Sequence, residues 1–234
     1  LTNKQLVIRV GYEQWLNGHL RWLNLNKNWL FDAAAVRLGG QPASLSAGMS
    51  GVYIDGSLAT VDAEPWIAKL SSGSGSGAGS STGGFELKEV NLYFNQLSYA
   101  GIRLPQQNIR WQPAGDGWQL ALRGADVNGN VRWFNERLLA VDLKNLRLIP
   151  SEAKPSQGSA ALQSPPNSMP SIQFSCDDCW YGDLSLGAIK FNARPSDEGI
   201  SVSELSVKSV ALNVTGSASW DSSAYGPRTV LRTT

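Results

Sequence analysis

The chain has 234 residues, of which only 17% are charged, well under the roughly 25% of an average soluble domain. Twenty Lys and Arg against nineteen Asp and Glu leave a net charge of +1, so no field draws nucleic acid or an anionic surface, and neither is expected as a primary partner. Glycine (24) and tryptophan (9) take up much of the deficit, so a large apolar surface has to be covered by something.

The first strand, Gln5-Leu-Val-Ile-Arg-Val10, begins almost at once, as in a fragment cut from the interior of a longer protein. No apolar run is long enough to span a bilayer as a helix, and any anchor or targeting signal is expected outside the chain. Gly18-His-Leu-Arg-Trp22 opens a pattern that returns at Gly129-Asn-Val-Arg-Trp133 and Gly216-Ser-Ala-Ser-Trp220. Each copy follows apolar and polar residues in alternation, so each reads as the closing strand of one repeated β unit. Units of this kind cannot bury their own apolar faces, and they stack into arrays.

Helical spacing is convincing once, over 64–70, with Asp62 as a candidate N-cap. The stretch 71–84, SSGSGSGAGSSTGG, reads as a flexible Gly/Ser linker. Pro155, Pro165, Pro166 and Pro170 make 151–170 a second linker, because such a segment cannot form a regular ladder. The chain is thereby divided into β segments 1–70, 85–150 and 171–234, each with one Gly-x-x-x-Trp.

Period-two alternation dominates the second and third segments. Val90, Leu92 and Phe94 share one face, as do Trp118, Leu120 and Leu122 after the turn Pro113-Ala-Gly-Asp-Gly117. Ile200 and Val202, Leu205 and Val207, and then Val210, Leu212 and Val214 repeat the pattern. Strand parity predicts one apolar face through Val90, Leu92, Phe94, Ile109, Trp111, Trp118, Leu120, Leu122, Val131, Trp133, Ile189, Phe191, Val202, Val207, Leu212, Val214 and Trp220. The fold class is all-β with about fourteen mostly antiparallel strands. Such a face is covered by a second sheet in a sandwich, or left as a groove in a curved, taco-like sheet. Periodicity does not choose between them.

Catalytic chemistry is not visible, and no enzyme or cofactor is expected. His19 is the one histidine, so a hydrolytic triad lacks a base and a zinc site lacks ligands. On its strand it reads as a surface or structural residue. Cys176-Asp-Asp-Cys179 precedes Trp180-Tyr-Gly-Asp and Leu184, a turn entering a strand, rather than a helix in a βαβ unit. A short-loop disulfide in an oxidising compartment is the preferred reading, with free thiols as the alternative. Asp177 and Asp178 read as solvated acids rather than a calcium site. The tryptophans admit a carbohydrate-stacking reading, yet alternation with aliphatic residues assigns them to a sheet face.

Several of these segments resemble the AsmA-like repeats of bacterial envelope proteins. They are Asp62-Ala-Glu-Pro-Trp66-Ile-Ala-Lys-Leu70, Phe85-Glu-Leu-Lys-Glu-Val-Asn-Leu-Tyr-Phe94, Gly115-Asp-Gly-Trp-Gln-Leu-Ala-Leu122, Gly129 to Trp133, and Leu186-Gly-Ala-Ile-Lys-Phe191 through Gly216 to Trp220. The resemblance covers most of 85–234 and extends to 1–70. It implies an open curved sheet whose apolar groove is lined by the residues named above. It also implies a periplasmic location, an inner-membrane anchor outside this chain, contact with the outer membrane, and phospholipid acyl chains as cargo. Fourteen strands at roughly 4.8 Å each would run on the order of 65 Å, beyond the roughly 40–45 Å of a bilayer, which suits a conduit better than a single-lipid pocket. A structural periplasmic scaffold without cargo and a carbohydrate-binding module are the alternatives.

Overall fold

The computed structural model describes residues 4–65, 85–99, 102–134, 137–149, 169–196, 199–223 and 226–233. The Gly/Ser segment 71–84, residues 151–168 of the Pro-rich segment and residues 66–70 of the expected helix lie outside the described residues. At the start of that helix, the Glu64 N–H donates to Asp62 Oδ1 at 3.1 Å.

Among the described residues, fourteen strands make up the fold. In the first segment they are β1 (Gln5–Tyr12), β2 (Leu16–Leu25), β3 (Asn28–Leu38) and β4 (Gly51–Asp62). The second contributes β5 (Leu87–Tyr99), β6 (Ile102–Ala114), β7 (Gly117–Arg123), β8 (Val127–Phe134) and β9 (Leu138–Leu148). The third contributes β10 (Ser171–Tyr181), β11 (Leu184–Pro195), β12 (Gly199–Lys208), β13 (Asn213–Ser223) and β14 (Gly226–Thr233). All belong to one long, curved, open sheet in which sequence order is spatial order. Among the described residues, substantial strand contacts run only between neighbours in that order.

Local turn chemistry explains the hairpins. Asn26 and Lys27 both have positive φ (53° and 68°) and join β2 to β3 through a two-residue turn of the kind that matches strand twist. Gly115 and Gly182 (φ 61° and 59°) open the two-residue turns between β6 and β7 and between β10 and β11. Three joints are parallel instead, namely β3/β4, β4/β5 and β9/β10. A parallel joint needs a connection that returns across the sheet. Two of these joints bridge the expected segments, so 1–70, 85–150 and 171–234 contribute to one ladder.

From β6 to β12 the sheet is irregular along one transverse line. Register shifts fall at Asn128/Gly129 in β8, Cys176/Cys179 in β10, Lys190/Asn192 in β11 and Val202/Leu205 in β12, while Gln106 in β6 has φ 49°. Bulges bend strands and increase local twist. The most buried large side chains cluster along the same line: Val127, Leu143, Cys176 and Cys179, with Leu104, Leu146, Leu186 and Ile189 packed around them.

Candidate functional site

Residues opposite one another in a ladder point to the same side, so the registers trace each face across the sheet. One chain of partners runs Val10, Gly18, Val36, Ile54, Val90, Trp111, Leu120, Val131, Val141, Phe174 and Phe191. A second runs Ile109, Leu122, Gly129, Leu143, Cys176, Ile189, Val207 and Val214. A third runs Trp118, Trp133, Leu139, Ile172, Ala193, Val202, Ala218 and Leu231. All three lie on one apolar face.

That face therefore includes Val90, Ile109, Trp111, Trp118, Leu120, Leu122, Val131, Trp133, Ile189, Phe191, Val202, Val207 and Val214. Leu92 and Phe94 join it opposite Ile109 and Gln107, and Trp220 joins it opposite Ile200. Leu212 does not lie on the ladder. The Ser209 N–H donates to the Leu212 carbonyl at 2.7 Å, closing a turn between β12 and β13 that leaves Leu212 exposed and Val210 fully in solvent. The parity run through Val210 and Leu212 was interrupted by this turn, which carries no Gly or Pro to announce it.

Other members of the face were open to the same parity argument, among them Leu6, Ile8 and Val10 in β1, Val141 and Leu143 in β9, and Ile172 and Phe174 in β10. Cys176 and Cys179 also belong to it. They lie within β10, and the register shift between them leaves Asp177 and Asp178 exposed while both sulfurs stay on the apolar side, each residue 2% exposed and joined to the other by a disulfide. The two acids are thus strand residues at a bulge rather than loop residues.

Val127 (6%) and Leu143 (4%) are as closely buried, although no second sheet packs over them among the described residues. Such burial arises when side chains of one face crowd one another, as on the inside of a bend. The bulged line is therefore a crease, with this face on its inner side. Gln107 lies there at 1% exposure; its Nε2 donates to the Asn108 carbonyl at 3.1 Å, and its Oε1 has no partner among the described residues.

The opposite face is polar and carries the ion pairs. Arg21 bonds Asp32 at 2.5 Å, Arg37 pairs with Asp55, and Arg110 holds Glu89 at 2.9 Å with Gln112 on the same carboxylate. The hydrogen bond from Arg110 holds the Glu89 carboxyl below its ordinary value against the opposing effect of burial. The connection from β3 to β4 crosses this polar side. Asn17 Nδ2 donates to the Gln41 carbonyl (3.2 Å), the Leu45 N–H to His19 Nδ1 (3.3 Å), and Arg21 Nη2 to the Met49 carbonyl (2.6 Å). His19 thus has a structural role. Beneath this strap Ala33 and Ala35 are buried.

Chemically, the site offers a continuous hydrocarbon surface with a bend along it. Among the described residues no helix is long and apolar enough to cross a membrane, and no cluster of three or more His, Cys, Asp or Glu is placed to hold a metal ion. No curated protein and no solved structure matches the chain. The family model described as YhdP protein matches residues 1–234, and the chain belongs to that family of bacterial envelope proteins.

Proposed function

We propose that this chain is a lipid-conducting section of an envelope protein, carrying phospholipid between the inner and outer membranes with the acyl chains against its apolar face. The observation that carries the reading is an apolar face that continues across fourteen hydrogen-bonded strands with, among the described residues, no second layer over it. Monomeric soluble proteins rarely expose apolar patches beyond a few hundred Å2, and larger ones mark lipid or protein contacts. Family membership supports a role in envelope lipid transport. A periplasmic location and an anchor in a neighbouring part of the protein belong to the same proposal. No chemical step is required of the chain. Its part is to replace water around the tails while the polar face and its ion pairs keep the outside wetted.

Native mass spectrometry of the chain, purified from bacterial envelopes without detergent, tests this. Phospholipid masses retained on the folded protein support the proposal; a folded chain that carries none, and takes none up from vesicles, contradicts it.

A further inference from the structure

One margin of the sheet has a step in it. β3 pairs with β4 from Ala33↔Gly51 to Leu38↔Gly56 and then leaves the ladder through Gly39 (φ 86°) to begin the strap. β4 runs on through Ser57 to Asp62, held by β5 from Ser57↔Tyr93 to Asp62↔Ser98. Among the described residues no strand pairs with its other edge over that length. The turn between β1 and β2 stops at the same level, where the Gly39 N–H donates to the Trp15 carbonyl at 3.0 Å. An open cleft of about 640 Å3 occupies the step, with Glu13, Trp15 and Gly39 at its foot and Ser57, Leu58 and Ala59 along its wall. Trp15 is 63% exposed there.

An uncovered strand edge presents the N–H and C=O groups of alternate residues, which only water or another main chain can satisfy. Proteins commonly blunt such edges with charged side chains or proline. Ser57-Leu-Ala-Thr-Val61 carries neither, and Ser57, Ala59 and Thr60 are exposed. These side chains are small, so a second backbone can approach to the roughly 4.8 Å of a sheet. Leu58 lies opposite Phe94 on the apolar face, so an added strand sets an apolar side chain of its own beside Leu58. From this edge we infer that the chain docks a partner protein by strand addition. An extended segment of about five residues, free of proline and apolar at alternate positions, pairs with β4 in the line that β3 vacates. Five residues at about 3.3 Å each span roughly 17 Å, which matches the stretch from Leu58 to Asp62. Docking of this kind uses the edge of the sheet and is separate from the lipid proposed for its face.

Random heptapeptides displayed on phage and selected on the full chain test this, with hydrogen exchange reading where they bind. In the free chain the open-edge amides between Leu58 and Asp62 should exchange about tenfold faster than those between Val52 and Gly56, which lie between two strands. A selected peptide, synthesised and bound, should slow the edge amides about tenfold. N-methylation of that peptide separates strand addition from simple adhesion to Trp15, because only alternate N–H groups face β4. Methyl groups on one alternate set should weaken binding about tenfold, as the loss of about two hydrogen bonds predicts. On the other set they should change it by less than about twofold. Equal effects of the two sets, protection elsewhere in the chain, or no peptide selected overturns the proposal. Edge amides already slow in the free chain also overturn it; if dilution then speeds them, a second copy of the chain holds the edge.

Discussion

Gly18 and Gly129 hold the same place in the repeated Gly-x-x-x-Trp motif, yet their surroundings differ. A Cβ on Gly129 would lie 2.3 Å from the Asp142 carbonyl oxygen and 2.6 Å from Leu143 Cα, both backbone atoms that cannot swing aside. On Gly18 the nearest atoms are 3.5 Å and more away, ordinary contact. Gly129→Ala should therefore cost about 2–4 kcal/mol, whereas Gly18→Ala should be neutral or stabilise by about 0.5 kcal/mol, as expected when a strand loses a glycine. Denaturant titration of both variants checks the pair; equal effects would mean that the motif, not the backbone approach, sets the cost. Gln107 makes a second prediction at this scale. Its buried Oε1 has no partner among the described residues, so Gln107→Leu should raise stability by about 1 kcal/mol in the same assay. The motif could be read in the sequence, but the approach of β9 to Gly129 could not, because it depends on a bulge in the pairing of β8 with β9.

At the scale of elements, alternation located strands well and their partners poorly. Hydrophobic period encodes which side a residue faces, and says nothing about whether the next strand runs parallel. The β3/β4, β4/β5 and β9/β10 joints were therefore not legible, nor was the strap from Gly39 to Ser50 held by Asn17, His19 and Arg21. Leu212 shows the converse: parity continued through a turn that only the Ser209 to Leu212 hydrogen bond reveals. The Cys176–Cys179 link spans a bulge within β10. Closing so short a loop removes about 2 kcal/mol of unfolded-state freedom, and the double Ala variant should lose about that much in a melt run without reductant. Alkylation of exported protein without reductant should label neither cysteine. Glu89 joins β5 to β6 through Arg110, and its folded-state pKa is lowered. Its contribution is therefore present above the ordinary value of 4.5 and is lost as pH falls through the lowered folded value. Because Arg110 is half exposed, the expected size is about 0.5 kcal/mol. Glu89→Gln should lower stability by that amount at neutral pH and flatten the acid side of a stability-pH curve.

At the scale of the whole molecule, the choice was between a sandwich and an open groove. Nothing in the alternation of Val90, Leu92 and Phe94 could decide it, since both architectures need the same apolar parity. What distinguishes them is the absence, among the described residues, of a sheet packed over that face, and a strap that crosses the polar side instead. The central claim is that this uncovered face carries lipid tails. Val131 tests it most directly, because it lies on the apolar face between Leu120 and Val141, close to the crease. An arginine there interrupts the hydrocarbon path, yet its charge can still reach water at the open side of the sheet. Thermal melting and retained phospholipid should be measured together on wild type and Val131→Arg. The account predicts a loss of stability of only about 1–2 kcal/mol with bound phospholipid abolished. A collapse of about 3–5 kcal/mol, as for an unpaired charge sealed in a closed core, or undiminished lipid on a stable variant, would contradict it.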